Sequence, residues 1–194
     1  MLKKNERNTK GKIIKAAWEL FYEQGYDYTT IEEIIEKSGT SKGSFYHYFE
    51  GKDALLGSLS YIFDEEYSRL QESLPENMSC IDKLLYLNSE LFAVIEDRID
   101  IDLLTRLYST QLITKGEKHL LDNKRLYYKL LKRIVSDGQM KNEITDKMTA
   151  GEIVKLYAMS ERALIYDWCI CNGEYSLSSY AKTVMPMFLS GIRP

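Results

Sequence analysis

The segment from Thr29 to Lys52 constrains the fold more than any other: Thr-Thr-Ile-Glu-Glu-Ile-Ile-Glu-Lys-Ser-Gly-Thr-Ser-Lys-Gly-Ser-Phe-Tyr-His-Tyr-Phe-Glu-Gly-Lys. It reads as two short helices folded over one glycine turn, a helix-turn-helix. Thr29 and Thr30 each precede a glutamate at capping-box spacing (Glu32, Glu33), which satisfies free amides at a helix start. Gly39 can take the left-handed conformation that ends the helix, and Thr40 or Ser41 can cap the next one. That second helix is small and polar at its front (Ser41, Lys42, Gly43, Ser44) and aromatic behind (Phe45 to Phe49). Such an element suits a first turn that enters a groove and a far end that rests on a core.

Two lysines sharpen this reading. Lys42 and Lys52 each fall in the first turn of a helix, against the macrodipole, at a cost of roughly 0.3–1 kcal/mol each. A nucleic-acid phosphate at either helix start would reverse the sign. Solvated surface lysines are the plainer alternative, and the pair bracketing an aromatic cluster favours the functional reading.

Ile13, Ala16, Ala17, Leu20, Phe21, Gly25 and Tyr26 precede this segment, and Leu55-Leu56 follow it. Together with Thr29-Thr30-Ile31, Ile34, Ser38-Gly39, Ser41-Lys42-Gly43, Phe45-Tyr46, Tyr48-Phe49 and Lys52 they resemble the DNA-binding domain of the TetR family of bacterial transcriptional regulators. The resemblance runs from about residue 10 to 57, and weaker echoes follow at Asp137-Gly138-Gln139 to Glu143-Ile144 and at Ala163 to Trp168. Thr40 departs from the family pattern, standing where many members carry an apolar residue. The resemblance implies an all-α, nine-helix architecture: a three-helix reader over residues 1–51 and a helical ligand-binding and dimerisation domain over residues 52–194.

With 194 residues, 44% of them hydrophobic, the chain is long enough for a small reader fused to a larger helical body. Net charge is −3, yet the first fifteen residues hold six bases (Lys3, Lys4, Arg7, Lys10, Lys12, Lys15) against Glu6. A basic arm suits phosphate or minor-groove contact, and a solubilising tail is equally compatible. No apolar run approaches membrane-spanning length and the start lacks a signal-peptide core, so a cytoplasmic protein is expected. Cys80, Cys169 and Cys171 form no paired framework and read as reduced small hydrophobes.

Prolines fall at positions 75, 186 and 194, and no segment alternates long enough for a strand. The periodicity predicts helices over about 10–24, 30–37, 41–47, 52–73, a stripe from Ile81 to Ile95, 100–113 ending before Lys115-Gly116, 117–139 closed by Gly138, 149–172 and 177–190. Pro186 falls inside the last of these and predicts a kink or a late turn. The wide apolar faces of the final pair can close a core or meet a second copy. Homodimerisation is expected from the family resemblance, with Ser160, Ala163 and Ala181 small enough for close approach.

The body is rich in aromatics with a polar tip. Tyr86, Phe92, Tyr108, Tyr127, Tyr128, Tyr157, Tyr166 and Trp168 are candidates for an effector pocket, with Asn88, Glu90, Thr105, Gln111 and Asp167 as polar neighbours. Core packing is the plainer reading for any single tyrosine. His47 and His119 are the only histidines, which leaves no catalytic triad or metal-ligand spacing, and no glycine-rich phosphate loop follows a strand. No enzyme activity, cofactor or metal is therefore expected.

These features converge on a ligand-responsive, homodimeric transcription factor, expected to be a repressor on a palindromic double-stranded DNA operator. Thr40, Ser41, Lys42, Gly43 and Ser44 are assigned to base edges or nearby phosphates, Tyr46, His47 and Tyr48 to backbone and base contacts, and Thr30 and Lys52 to phosphate clamps. A small-molecule effector in the body is expected to release the operator. The rival readings are a helical protein-interaction module and a small-molecule-binding protein with an incidental helix-turn-helix. Salt-sensitive retention on DNA separates the first from a regulator, and turnover of a candidate ligand the second.

Overall fold

The computed structural model describes residues 2–113 and 118–194, with side chains for residues 9–60, 62–113 and 118–194. The helix end expected at Lys115-Gly116 and the side chains of Lys3, Lys4 and Arg7 lie outside them. All regular structure among the described residues is helical. The order is α1 (Leu2–Gln24), α2 (Ile31–Ser38), α3 (Lys42–Tyr48), α4 (Lys52–Leu56), α5 (Leu59–Ser73), α6 (Cys80–Arg98), α7 (Ile101–Ile113), a 3₁₀ turn (His119–Leu121), α8 (Leu126–Met140), α9 (Ala150–Ile170) and α10 (Leu177–Ser190).

The all-α class matches expectation, with ten α-helices among the described residues where nine were expected. The helix expected over 52–73 breaks at Gly57-Ser58. There the Ser58 amide turns back to Leu55 O at 2.9 Å and the Ser60 amide to Gly57 O at 3.3 Å, tight bonds one residue shorter than the α pattern. The Ser58 hydroxyl also donates to Leu55 O and accepts from Trp18 Nε1 at 2.7 Å, so a buried side chain competes with the helical ladder. The helix expected over 117–139 likewise starts late. Asp122 forms a turn in which its carboxylate accepts the Lys124 amide at 2.9 Å, and α8 begins only after Arg125.

The chain divides into two compact units, Met1–Ser60 and Tyr61–Pro194. In the first unit, Ile13, Ala17, Phe21, Ile34, Phe45, Leu55 and Leu56 are all but fully buried. Phe21 packs tilted against Tyr26 with ring centroids 5.0 Å apart, and Phe45 against Phe49 at 5.8 Å. Gly39, at φ 62°, ends α2 and sends its amide to Glu36 O, a conformation that favours glycine.

In the second unit, α6 packs on α8 and α10, and α9 on α7, α8 and α10. Leu84, Leu87, Phe92, Ile95, Leu131 and Val135 are fully buried. Gly138 does not close α8 but sits within it. A β-carbon there would fall 2.6 Å from Ile144 Cδ1, so the glycine admits the buried Ile144 against the helix. α10 runs through Pro186.

Candidate functional site

The first unit presents one polar face built on α2 and α3. Of the two candidate caps, Thr30 starts α2: its hydroxyl accepts the Glu33 amide at 3.2 Å while the Glu33 carboxylate accepts the Thr30 amide at 2.7 Å. These bonds hold the Glu33 carboxyl below the usual range. Thr29 is instead buried, its hydroxyl on Gly25 O at 2.8 Å. Ser41 caps α3 by accepting the Ser44 amide at 3.1 Å, and Thr40 pairs with the Ser38 hydroxyl at 2.8 Å. Phe45 at 0% and Phe49 at 5% exposure anchor the far side of α3. As a result Ser41, Lys42, Gly43, Tyr46 and His47 lie exposed on one side, with Ser44 and Tyr48 half-buried beside them.

The two lysines differ. Lys42 is largely exposed, with its ammonium 3.4 Å from Glu32. Lys52 folds back on its own unit: its ammonium donates to Tyr26 O at 2.6 Å and Thr29 O at 2.9 Å and lies 4.2 Å from the Tyr26 ring centroid. Lys52 thus fastens the turn that leads into α2.

The second unit holds a small, partly open chamber of about 50 Å³ among α5, α6, α7, α8 and α9, whose lining includes Phe63, Tyr67, Leu91, Tyr108, Tyr127 and Glu161. Glu161 is 4% exposed and accepts Asn88 Nδ2 at 3.0 Å and Tyr127 Oη at 2.6 Å. Burial pushes its carboxyl above the usual range despite those donors. Tyr67 lies tilted against Tyr127 with ring centroids 5.0 Å apart and is 1% exposed, and its hydroxyl has no hydrogen-bond partner among the described residues. An orphaned hydroxyl beside a buried carboxyl is an arrangement a ligand's polar group would complete.

Two further cavities open from the same helices. One of about 390 Å³ is lined by residues including Tyr108, Gln111, Leu112, Met159, Arg162 and Tyr166. The other, of about 690 Å³, is lined by residues including Tyr128, Lys129, Lys132, Lys155, Ala158 and Arg162. Of the aromatics singled out in the sequence, Tyr108 and Tyr127 line the inner chamber, Tyr128 the large cavity and Tyr166 the intermediate one. Tyr86, Phe92 and Trp168 line none of the three. Trp168 is spent elsewhere: its indole N–H donates to Tyr175 O at 2.8 Å and its ring covers Gly173. Phe92 is fully buried core, and Tyr86 is half-buried. Tyr157 is also buried, its hydroxyl on Leu84 O at 2.8 Å.

An exposed apolar stripe runs along α9. Leu156, Met159, Tyr166 and Ile170 are 37%, 51%, 49% and 64% exposed, and Ala163 is exposed between them. Their alternating three- and four-residue spacing is that of a helix–helix seam. Met187 at 68% and Phe188 at 42% extend the apolar surface on α10. Ser160 and Ala181, expected to ease helix approach between copies, are buried inside the unit at 5% and 0% exposure.

The sequence reading missed Tyr67, Glu161, Arg162 and the lysines of α8 and α9. Glu161 carried a signal, since it interrupts the apolar stripe Tyr157, Leu164, Ile165, Trp168 with a charge. Nothing local in the sequence brings Tyr67 beside it.

The model of the bacterial regulatory proteins of the tetR family matches residues 13–59, from the middle of α1 to the start of α5. The chain is 30% identical over 154 residues to the uncharacterized HTH-type transcriptional regulator YvdT of Bacillus subtilis, covering 75% of this chain and 76% of that protein. It is 23% identical to the fatty acid metabolism regulator protein of Bacillus subtilis, over 97% of this chain and 98% of the relative. Among solved structures, Thermus thermophilus FadR in complex with lauroyl-CoA superposes with a TM-score of 0.73 at 20% identity, over 93% of each chain.

Proposed function

Because this chain belongs to the TetR family of bacterial transcriptional regulators, and so is a DNA-binding regulator, we propose that it acts as a homodimeric repressor released from a palindromic operator by a small-molecule effector. The observation that carries the DNA side is the face on α3, where exposed Ser41, Lys42, Gly43, Tyr46 and His47 stand over a core pinned by Phe45 and Phe49. Thr40, Ser41, Lys42, Gly43 and Ser44 would approach base edges and phosphates, with Thr30, Tyr46, His47, Tyr48 and Lys52 flanking them. The Thr30 hydroxyl and the Lys52 ammonium, already bonded within the unit, would contribute by positioning the reader.

The α9 stripe supports the dimer. Exposed methionine, tyrosine and isoleucine at seam spacing favour pairing with the same helix of a second copy. The inner chamber supports the effector site, with Tyr108 and Tyr127 beside Glu161 and the unpartnered Tyr67 hydroxyl. Tyr128 and Tyr166 line its neighbours. A chamber this small must widen to admit a ligand, and that movement is the source of the signal. A differential affinity of about 3 kcal/mol between the two states would release the operator about a hundredfold. Lauroyl-CoA, bound by the Thermus structure, is the first compound to try.

The test is fluorescence anisotropy of the full chain on a palindromic duplex selected from random DNA. Binding of two subunits per duplex, with affinity falling steeply in salt, supports the reading. Equal affinity for every sequence would overturn it.

A further inference from the structure

Every charged residue lining the large cavity on α8 and α9 is basic. In a protein of net charge −3, its wall carries Lys129, Lys132, Lys155 and Arg162 and no acidic residue. Lys129 and Lys132 lie one helical turn apart on α8, two like charges on one face that an anion between them would bridge. Lys155 and Arg162 lie two turns apart on α9, facing the same space. No carboxylate approaches Lys129, Lys132 or Lys155 within ion-pair distance among the described residues, whereas Lys37 and Arg69 each engage one. The Arg162 guanidinium is oriented by a 3.2 Å bond to the Tyr128 hydroxyl, which itself donates to Leu120 O at 2.7 Å.

The cavity is not a plain basic patch. Val154 and Ala158 supply an apolar wall between the cations, and Ala158 and Arg162 also line the inner chamber that holds Tyr67 and Glu161. One side of the same opening therefore favours a multiply charged anion and the other continues into apolar space. We propose that the large cavity is a head-group subsite for phosphate-bearing amphiphiles, with Lys129, Lys132, Lys155 and Arg162 neutralising the phosphate while the apolar body passes Ala158 toward the chamber. Specificity then divides between the two parts: the cations select a charged phosphate ester over a neutral molecule with the same chain, and the chamber sets chain length. The proposal deepens the effector reading and rests on it only for its consequence on DNA; binding itself is independent of the operator.

Calorimetric titration of the full chain with dodecyl phosphate, dodecanol and inorganic pyrophosphate, each below any micelle-forming concentration, tests it. Dodecyl phosphate should bind at least about tenfold tighter than dodecanol at low salt, with the advantage shrinking as salt rises. The combined variant Lys129→Gln, Lys132→Gln, Lys155→Gln should remove that advantage and leave dodecanol affinity as it was. These are exposed side chains, so the variant keeps its fold, which circular dichroism confirms. Equal affinity for the phosphate and the alcohol, or an unaltered preference in the variant, overturns the proposal. Pyrophosphate binding as tightly as dodecyl phosphate overturns the amphiphile claim. Operator binding, measured separately, tells the two readings apart: a chain that discriminates the phosphate but retains no DNA refutes the regulator and not the subsite.

Discussion

Asp64 and Arg125 meet in a two-bond ion pair, Arg125 Nε on Oδ2 at 3.2 Å and Nη2 on Oδ1 at 3.0 Å, and the Tyr127 amide adds a third bond to Oδ1 at 3.3 Å. Their side chains are only 16% and 8% exposed. The pair ties α5 to the start of α8, where Arg125 and Tyr127 line the inner chamber. α5 is also the helix through which the chain leaves the first unit at Ser60. On the proposed effector reading, a ligand that displaces Tyr127 would pull on α5 through Asp64.

Asp64→Ala removes the carboxylate that two bonds hold against a nearly buried guanidinium. It should destabilise the second unit by about 3 kcal/mol, the lower end of the range for a broken buried pair because some exposure remains. Urea unfolding checks the loss. At temperatures where the variant stays folded, the effector's ability to release DNA should fall about tenfold, read by anisotropy with and without effector.

Lys42 and Lys52 should separate cleanly. Lys42→Ala removes an exposed cation and should lower the salt slope of operator binding by about one unit. Lys52→Ala breaks charge-assisted bonds to the Tyr26 and Thr29 carbonyls and should cost about 1.5 kcal/mol of stability in the first unit. Its effect on affinity should come with an unchanged slope. Anisotropy across a salt series and thermal unfolding read both, and a reduced slope for Lys52→Ala would make it a phosphate contact after all.

What the sequence made legible follows from how local each signal is. The reader was readable because each of its determinants acts within one helical turn: the Thr30–Glu33 box, Gly39 at positive φ and the Ser41 cap. The break at Gly57-Ser58 was not, because it depends on Trp18 reaching Ser58 from a distant helix. The chamber was half legible. Tyrosine abundance pointed to Tyr108 and Tyr127, while Trp168 and Phe92 look identical to them in sequence and are distinguished only by what they pack against.

Assembly has its own test. Ala163→Asp and Met159→Asp place a charge in the middle of the α9 stripe and should dissociate a dimer, since an unpaired charge in a dry interface costs several kcal/mol. Both positions are exposed within one subunit, so the monomer should keep its fold. Sedimentation velocity reports the outcome. Variants that remain dimeric would move the interface elsewhere.

Glu161 gives the second unit a pH signature. Burial raises its folded pKa above the ordinary 4.5, so the folded chain holds a proton that the unfolded chain releases. Stability should therefore fall as pH rises from about 4.5 toward the raised value, and level off above it. Glu161→Gln lacks the titration. Its stability relative to the parent should improve across that window and not at lower pH, as urea unfolding at a series of pH values would reveal. A parallel profile for the two proteins would mean that Glu161 titrates normally.

The most direct test of the central claim is selection of duplexes from random DNA by the purified full chain, followed by sequencing of what is retained. The account predicts a two-fold symmetric site with half-sites about one helical turn apart, lost when Lys42, Tyr46 and His47 are replaced together by alanine. Retention of unrelated sequences in proportion to their abundance would contradict it.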